Sequence, residues 1–283
     1  MSNHYSRGRS NLPEPLSVLN AERFCEQGFI AVNDYFDTNL LLRVSEEWQA
    51  FCASATPSEL PVDRPAAVFW RHVQGDVKRI RPLAEFPALS EIALGHAATQ
   101  IARQLAQVSQ GEMELRLFET IVFSKPPLEG GMLSWHQDNP FFPFDPQNQI
   151  ALWIPLDDVD PENGGLEYAI GSHKAGVSAP FDLHSGANLG DGQICLTPAD
   201  FADDKFDTFA VSLRVGGVAV HDGRTWHRSF PNTSTTRQRR AISLRYLVGP
   251  TRYSPRQGTA ASMNAQINLA AGALIDCSAF PLV

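Results

Sequence analysis

Downstream of Gly111 the chain breaks into short segments, and this change of texture constrains its fold more than any other feature. "ELRLFETIVFSK", "IALWIPLDD", "GLEYAIGS", "TFAVSLRVGGVAVHD" and "RAISLRYLVG" are rich in β-branched and aromatic residues and set apart by Gly, Pro, Asn or Asp, the pattern of strands. "PENGG" and Asp222-Gly223 are tight-turn signals. Before Gly111 the pattern is helical. "SVLNAERFCEQGF" reads as a short helix with Leu19 and Phe24 on its apolar side and Gly28 at its C-cap. "DTNLLLRVSEEWQAFCAS" carries Leu41, Val44, Trp48 and Phe51 at three- and four-residue steps, behind Asp37 or Thr38 as cap. "ALSEIALGHAATQIARQLAQVSQG" reads as a single helix capped by Ser90 and striped by Leu94, Ala97, Ile101, Leu105 and Val108. Helices followed by many short strands predict a mainly β protein with flanking helices. A double-stranded β-helix, the cupin-like jelly roll, fits that order.

At 283 residues the chain can bury one sizeable core. We read a single domain over residues 16–253, helical to about 110 and jelly roll over about 112–250. Residues 1–15 read as a flexible arm, and 254–283 as a tail that packs on the domain or on a partner chain, which leaves a homo-oligomer open. The net charge of −8 and the lack of any long Lys/Arg block exclude a nucleic-acid partner. Cys25, Cys52, Cys195 and Cys277 are scattered without a CxxC, so neither a disulfide framework nor a zinc site is expected. The polar N-terminus has no apolar leader segment, and no apolar run reaches membrane-spanning length. The expectation is a cytoplasmic protein without a membrane partner.

Within this frame "GMLSWHQDNPFFPF" places His136 and Asp138 two residues apart. In a strand, residues i and i+2 share a face, so the imidazole and carboxylate would sit side by side with Gln137 turned away. That is two thirds of the two-histidine, one-carboxylate arrangement that holds non-heme Fe(II) with open positions. The segment "GGVAVHDGRTWHRSFPNTSTTRQRRAISLRY" supplies His221 and His227, and spacing does not choose between them. Arg237, Arg239 and Arg240 follow, and a planar guanidinium suits a dicarboxylic cosubstrate because it binds a carboxylate through two parallel hydrogen bonds. Arg240 alternates away from Arg239 along a strand, so only one of them can face the interior.

"SWHQDNPFFPF", "ALWIPLDDVDPENGGLEYAIGSHK" and "HDGRTWHRSFPNTS...RRAISLRY" together resemble the phytanoyl-CoA dioxygenase family of Fe(II)/2-oxoglutarate oxygenases, from about Ala21 to Tyr253. The resemblance implies His136, Asp138 and His227 as iron ligands, with His227 preferred to His221 on that ground. It implies Arg239 as the residue that binds the far carboxylate of 2-oxoglutarate, and Ser229 as the hydroxyl that shares it. Lys125 and Trp153 resemble residues of the cosubstrate pocket. The implied reaction consumes 2-oxoglutarate and O₂, releases succinate and CO₂, and oxidises a substrate C–H bond. Asp138 implies hydroxylation, since Gly or Ala there would imply a halogenase. Arg228 departs from the Gly many relatives carry after the distal His, and this predicts a more crowded or more basic pocket.

The substrate is expected to be a small molecule. Phe141 and Phe142, just after the first two ligands, could form an apolar wall. Arg64, Arg71, Lys78, Arg79 and Arg81 form a basic run in an acidic chain, which points to an anionic substrate group held by Arg71 and Arg79. Two rival readings use the same ligands: a non-catalytic metal-binding jelly-roll sensor, and a zinc-type cupin hydrolase with an open water position. Neither needs the carboxylate clamp at Arg239.

Overall fold

A computed structural model describes residues 16–54, the backbone of 68–73, and residues 83–112, 114–128, 131–178, 205–255, 269–276 and 280–283. Helix α1 (Val18–Gln27) begins at Ser17, whose hydroxyl accepts from the Asn20 amide, and ends at Gly28 in the left-handed region (φ 84°). Helix α2 (Thr38–Ser54) is capped by Asp37, whose carboxylate accepts from the Asn39 amide at 2.9 Å. The single helix expected over residues 88–110 is two: α3 (Pro87–Ala93) and α4 (His96–Gln110). The break lies at Gly95, whose extended backbone (φ −77°, ψ 162°) caps α4. A Cβ on Gly95 would lie 2.0 Å from the Glu91 carbonyl oxygen, so glycine permits the close turn. The kink rotates the apolar stripe. Ala98, Ile101, Ala102, Leu105 and Ala106 are buried, whereas Leu94 and Val108 are exposed. Leu19 is likewise exposed, and Phe24 alone anchors α1.

Two sheets make the body. One contains β1 (Phe29–Val32), β2 (Val68–Val73), β3 (Leu115–Lys125), β6 (Gln149–Pro155), β9 (Val218–Asp222) and β11 (Arg239–Val248), in the order β1-β9-β6-β11-β3-β2. The other contains β4 (Leu133–His136), β7 (Leu166–Ala169), β8 (Thr208–Ala210) and β10 (His227–Ser229), in the order β4-β10-β7-β8. A small pair joins β5 (Phe144–Asp145) to β12 (Arg252–Tyr253). Every pairing is antiparallel. This is the expected mainly β jelly roll with helices on one side. Strands β1 and β2 were not anticipated; they fall in the stretch read as helical and become the two edges of the large sheet.

Period-two alternation decides what faces where. On β6, β9 and β11, Ile150, Leu152, Ile154, Val218, Val220, Ile242 and Leu244 pack with the helices in the main apolar core. Their neighbours Trp153, Ala219 and Ala241 turn inward toward Tyr168 and Leu166 of the small sheet. Fully burying an Ile or Leu such as Ile101 or Leu105 contributes about 1.5–3 kcal/mol each, so the helices are held firmly and the inner face is left free to carry polar groups. A register shift between Arg245 and Tyr246 opposite β3 leaves Phe118 unpaired. Phe118 fills a third cluster with Phe142, Phe144, Tyr253, Ile275 and Phe280. The described part of the C-terminal tail returns to this domain: Phe280 stacks on Phe118, and the Val283 amide donates to the Leu115 carbonyl at 3.0 Å.

Candidate metal centre and anion pocket

His136 and His227 are direct cross-strand partners on β4 and β10, and their ring centroids lie 4.2 Å apart. Asp138 reaches them by a different route from the one expected. β4 ends at His136, and Asp138 has helical backbone angles (φ −73°, ψ −44°) at the start of a short 3-10 turn, Asn139–Phe141. The turn, not strand alternation, swings its carboxylate in. Asp138 Oδ1 lies 3.9 Å from His136 Nε2 and 4.0 Å from His227 Nε2. Gln137 is not turned out to solvent. It is fully buried, donates to the carbonyls of Gly176 and Arg224, and accepts from the Ser178 amide, fastening the segment to two neighbouring loops.

Both imidazoles have their outer nitrogens engaged by backbone carbonyls: His136 Nδ1 with Ser134 at 2.8 Å and His227 Nδ1 with Thr225 at 3.0 Å. This fixes the tautomer and leaves each Nε2 lone pair directed inward. Burial lowers the pKa of His136 below its ordinary value. Burial, with His136 and His221 nearby, drives that of His227 well below it. For Asp138, burial opposes ionisation, but Arg245, His221 and His227 outweigh it and hold the carboxyl well below the usual range. Two neutral imidazoles and one carboxylate, with donor atoms within 4.8 Å of one another, form the one such group among the described residues. A divalent ion about 2.0–2.2 Å from each donor fits that spacing.

His221 is near but otherwise engaged. Its Nδ1 meets the Tyr168 hydroxyl at 3.0 Å, and its Nε2 lies 3.3 Å from Asp138 Oδ2. Arg245 grips the same carboxylate with Nε to Oδ2 (3.0 Å) and Nη2 to Oδ1 (3.1 Å), and donates a third bond to Glu119. Sequence reasoning missed Arg245, Glu119, Tyr168 and the role of Gln137. A signal existed: Arg239 and Arg245 are six residues apart on one strand, hence on one face, and register places Lys125 opposite Arg239 and Glu119 opposite Arg245.

The other end of that inner face holds the cations. Arg239 is buried with its guanidinium over the Trp153 ring (5.6 Å) and its Nε donating to the Gly164 carbonyl at 3.0 Å. Lys125 donates to Ser229 Oγ at 2.8 Å and to the Phe230 carbonyl. Neither cation forms an ion pair with any described residue. Burial lowers Arg239 to about 9, and burial together with Arg239 lowers Lys125 to about 6. Gly164 of "PENGG" has φ +96°, and a Cβ there would lie 2.9 Å from Lys125 Cδ. The turn therefore needs glycine both for its backbone and to admit the lysine. A buried guanidinium with no ion-pair partner among the described residues is costly, and an anion would relieve it and draw the proton back onto Lys125.

The remaining candidates divide. Arg240 turns out to Asp157, as alternation requires. Arg228 does not crowd the pocket. It lies on the outer face of β10, paired with Glu167 and stacked over Trp135 (4.9 Å) and Phe230 (5.2 Å). Phe141 faces the His136 ring edge-on, with centroids 6.3 Å apart. Phe142 is drawn into the Phe118 cluster beneath Arg245. Arg71 lies on β2 opposite Ile121, with its side chain outside the described residues. Arg64, Lys78, Arg79 and Arg81 lie wholly outside them.

A jelly roll with an interior two-histidine, one-carboxylate group beside buried cations defines a class of metal-centred β-barrel proteins. The chain belongs to the phytanoyl-CoA dioxygenase family, whose profile matches residues 24–241. It is 33% identical over 129 residues to a probable alpha-ketoglutarate-dependent hypophosphite dioxygenase of Stutzerimonas stutzeri, covering 44% of this chain and 43% of that protein. The chain thus spans under half the length of that relative, and between 40% and 59% of other curated relatives it matches. Among solved structures it is similar to the non-heme alpha ketoglutarate dependent carbocyclase SnoK from nogalamycin biosynthesis, with TM-score 0.71 and 20% identity over 95% of this chain and 96% of that one. The epimerase SnoN in complex with Fe3+, alpha ketoglutarate and nogalamycin RO gives TM-score 0.71 and 20% identity over 93% and 97%. At that identity the likeness establishes the fold. Among the described residues no helix is long and apolar enough to cross a membrane.

Proposed function

We propose that the protein is a non-heme Fe(II)/2-oxoglutarate-dependent dioxygenase of the cytoplasm that oxidises a C–H bond of a small molecule. The observation that carries this reading is the buried group of His136, Asp138 and His227 sharing an interior with two buried basic side chains, Arg239 and Lys125, that form no ion pair with a described residue. His136 and His227 would hold the iron through Nε2 and Asp138 through its carboxylate. When bound, the iron supplies activation of O₂ coupled to decarboxylation of 2-oxoglutarate to succinate and CO₂. The chain's own contribution is binding and orientation. Arg239, Lys125 and Ser229 receive the far carboxylate, Trp153 walls the pocket, and Phe141 excludes water from one side of His136. A non-catalytic sensor or a zinc hydrolase has no need of the carboxylate clamp at Arg239.

An anionic substrate is part of the proposal. It is supported by the basic run that includes Arg71 and Arg79 in a chain of net charge −8, and by the relative named for hypophosphite. Substituting Arg71 or Arg79 should then raise the KM for substrate and leave that for 2-oxoglutarate unchanged.

The test of the central reading is anaerobic absorption spectroscopy. Fe(II) and 2-oxoglutarate added together should produce a metal-to-ligand charge-transfer band, and admitting O₂ should yield succinate. His227→Ala should lose both. A wild-type protein that gives neither band nor succinate, or a His227→Ala protein that keeps both, would overturn it.

A further inference from the structure

An ionised carboxylate offers about four lone-pair sites, two on each oxygen. The contacts of Asp138 occupy three. Oδ2 faces Arg245 Nε at 3.0 Å and His221 Nε2 at 3.3 Å, and Oδ1 faces Arg245 Nη2 at 3.1 Å. The one site left belongs to Oδ1, the oxygen 3.9 and 4.0 Å from the two Nε2 atoms of His136 and His227. The donors are themselves braced. The Tyr168 hydroxyl lies 3.0 Å from His221 Nδ1; donating there, it would leave the imidazole proton on Nε2, facing Asp138. Glu119 accepts a bond from Arg245 Nη1, and the Phe142 ring lies under the guanidinium at 5.2 Å. All five side chains are buried.

We infer that Arg245 and His221 are positioning residues that make Asp138 a one-oxygen ligand, so that the coordination position a second carboxylate oxygen would take stays free for the chelating cosubstrate. The inference rests on the functional reading above. It adds two residues, and a reason why neither is interchangeable with a mere counter-charge. Lysine at position 245 would keep the charge but lose the two-pronged fork.

The test uses the full chain and three variants. Arg245→Lys keeps the charge. Arg245→Met with Glu119→Gln removes the arginine together with the charge of the carboxylate it bonds. His221→Leu frees a site on Oδ2 alone. The first readout is the infrared difference between Zn(II)-loaded and metal-free protein. The antisymmetric and symmetric stretches of a ligating carboxylate are widely separated for one-oxygen binding and close together for two-oxygen binding. Wild type should give the wide separation, and the Arg245→Met/Glu119→Gln protein the narrow one. The second readout is anaerobic titration with Fe(II) and 2-oxoglutarate. The apparent Kd for 2-oxoglutarate should rise at least tenfold in the double variant and in Arg245→Lys, and by a smaller factor in His221→Leu. Variants that fold with the wide separation and unaltered 2-oxoglutarate affinity would overturn the inference, reducing Arg245 to a structural ion pair. If the double variant does not fold, Arg245→Lys and His221→Leu decide the matter by the same two readouts. Failure of wild type to bind Fe(II) with 2-oxoglutarate would overturn the functional reading itself, a distinct outcome.

Discussion

Lys125→Met should make the cosubstrate-free protein more stable near neutral pH while impairing it as an enzyme. The Lys125 pKa falls from 10.5 in a solvated chain to about 6 in the pocket, chiefly by burial and then by Arg239. Between those values the unfolded chain binds a proton that the folded chain lacks, so wild-type stability rises with pH through that window. At pH 7 the lysine must shed a proton it would hold in the unfolded chain by about 3.5 pH units, which costs on the order of 5 kcal/mol. Methionine escapes that cost. It loses the bonds to Ser229 Oγ and to the buried Phe230 carbonyl, together worth roughly 2–4 kcal/mol. The net is a gain of about 2 kcal/mol at pH 7, or a rise in Tm of about 5 °C for a chain of this size. By pH 9 the proton cost has shrunk to about 2 kcal/mol, so the gap should close or reverse. Thermal unfolding followed by circular dichroism at pH 7, 8 and 9, without 2-oxoglutarate, measures this. A gap that is constant from pH 7 to 9 would mean that Lys125 keeps its proton in the folded protein, and the account of burial and Arg239 driving that proton off would be wrong. The same variant should need at least tenfold more 2-oxoglutarate to reach half-maximal rate.

Three further outcomes can be checked. Arg239→Met removes a charge-assisted contact worth about 1.5–3 kcal/mol, so the KM for 2-oxoglutarate should rise by about 10- to 100-fold while Fe(II) affinity holds. Gly164→Ala forces a side chain onto a backbone at φ +96° and against Lys125 Cδ; it should lower stability by about 1–3 kcal/mol and raise the same KM, seen in denaturant titration and steady-state kinetics. Leu105→Ala, at a fully buried site on α4, should cost about 2–5 kcal/mol of stability but leave both KM values unchanged in the folded fraction.

The class of fold was legible because β-branched runs broken by Gly, Pro and Asn leave a chain few options. α1 was legible from Gly28, since a C-cap acts locally. The break at Gly95 was not: an isolated glycine inside a periodic stretch reads as tolerated, and only the Glu91 carbonyl pressing on it reveals a turn. β1 and β2 were missed because edge strands of four and six residues gain their stability from β9 and β3, far along the chain. His136, Asp138 and His227 were picked out as residues, yet the geometry assumed for the first two was wrong, because strand periodicity cannot foresee that β4 stops at His136. Whether His221 or His227 joins them turned on cross-strand register, which spacing does not encode. Arg228 looked threatening in one dimension and is harmless in three, since alternation sends it outward. Arg245 was overlooked although alternation puts it on the face of Arg239, because the carboxylates across from it are set by register and a turn that the sequence does not show.

Strand β11 bears Arg239 and Arg245 on one face, with the irregularity beside Tyr246 pinning its alignment on β3. Were the strand to slide by a single residue, both guanidiniums would leave the interior together and Ile242 and Leu244 would take their place. Mispaired chains would thus forfeit the anion pocket and the carboxylate brace in the same stroke.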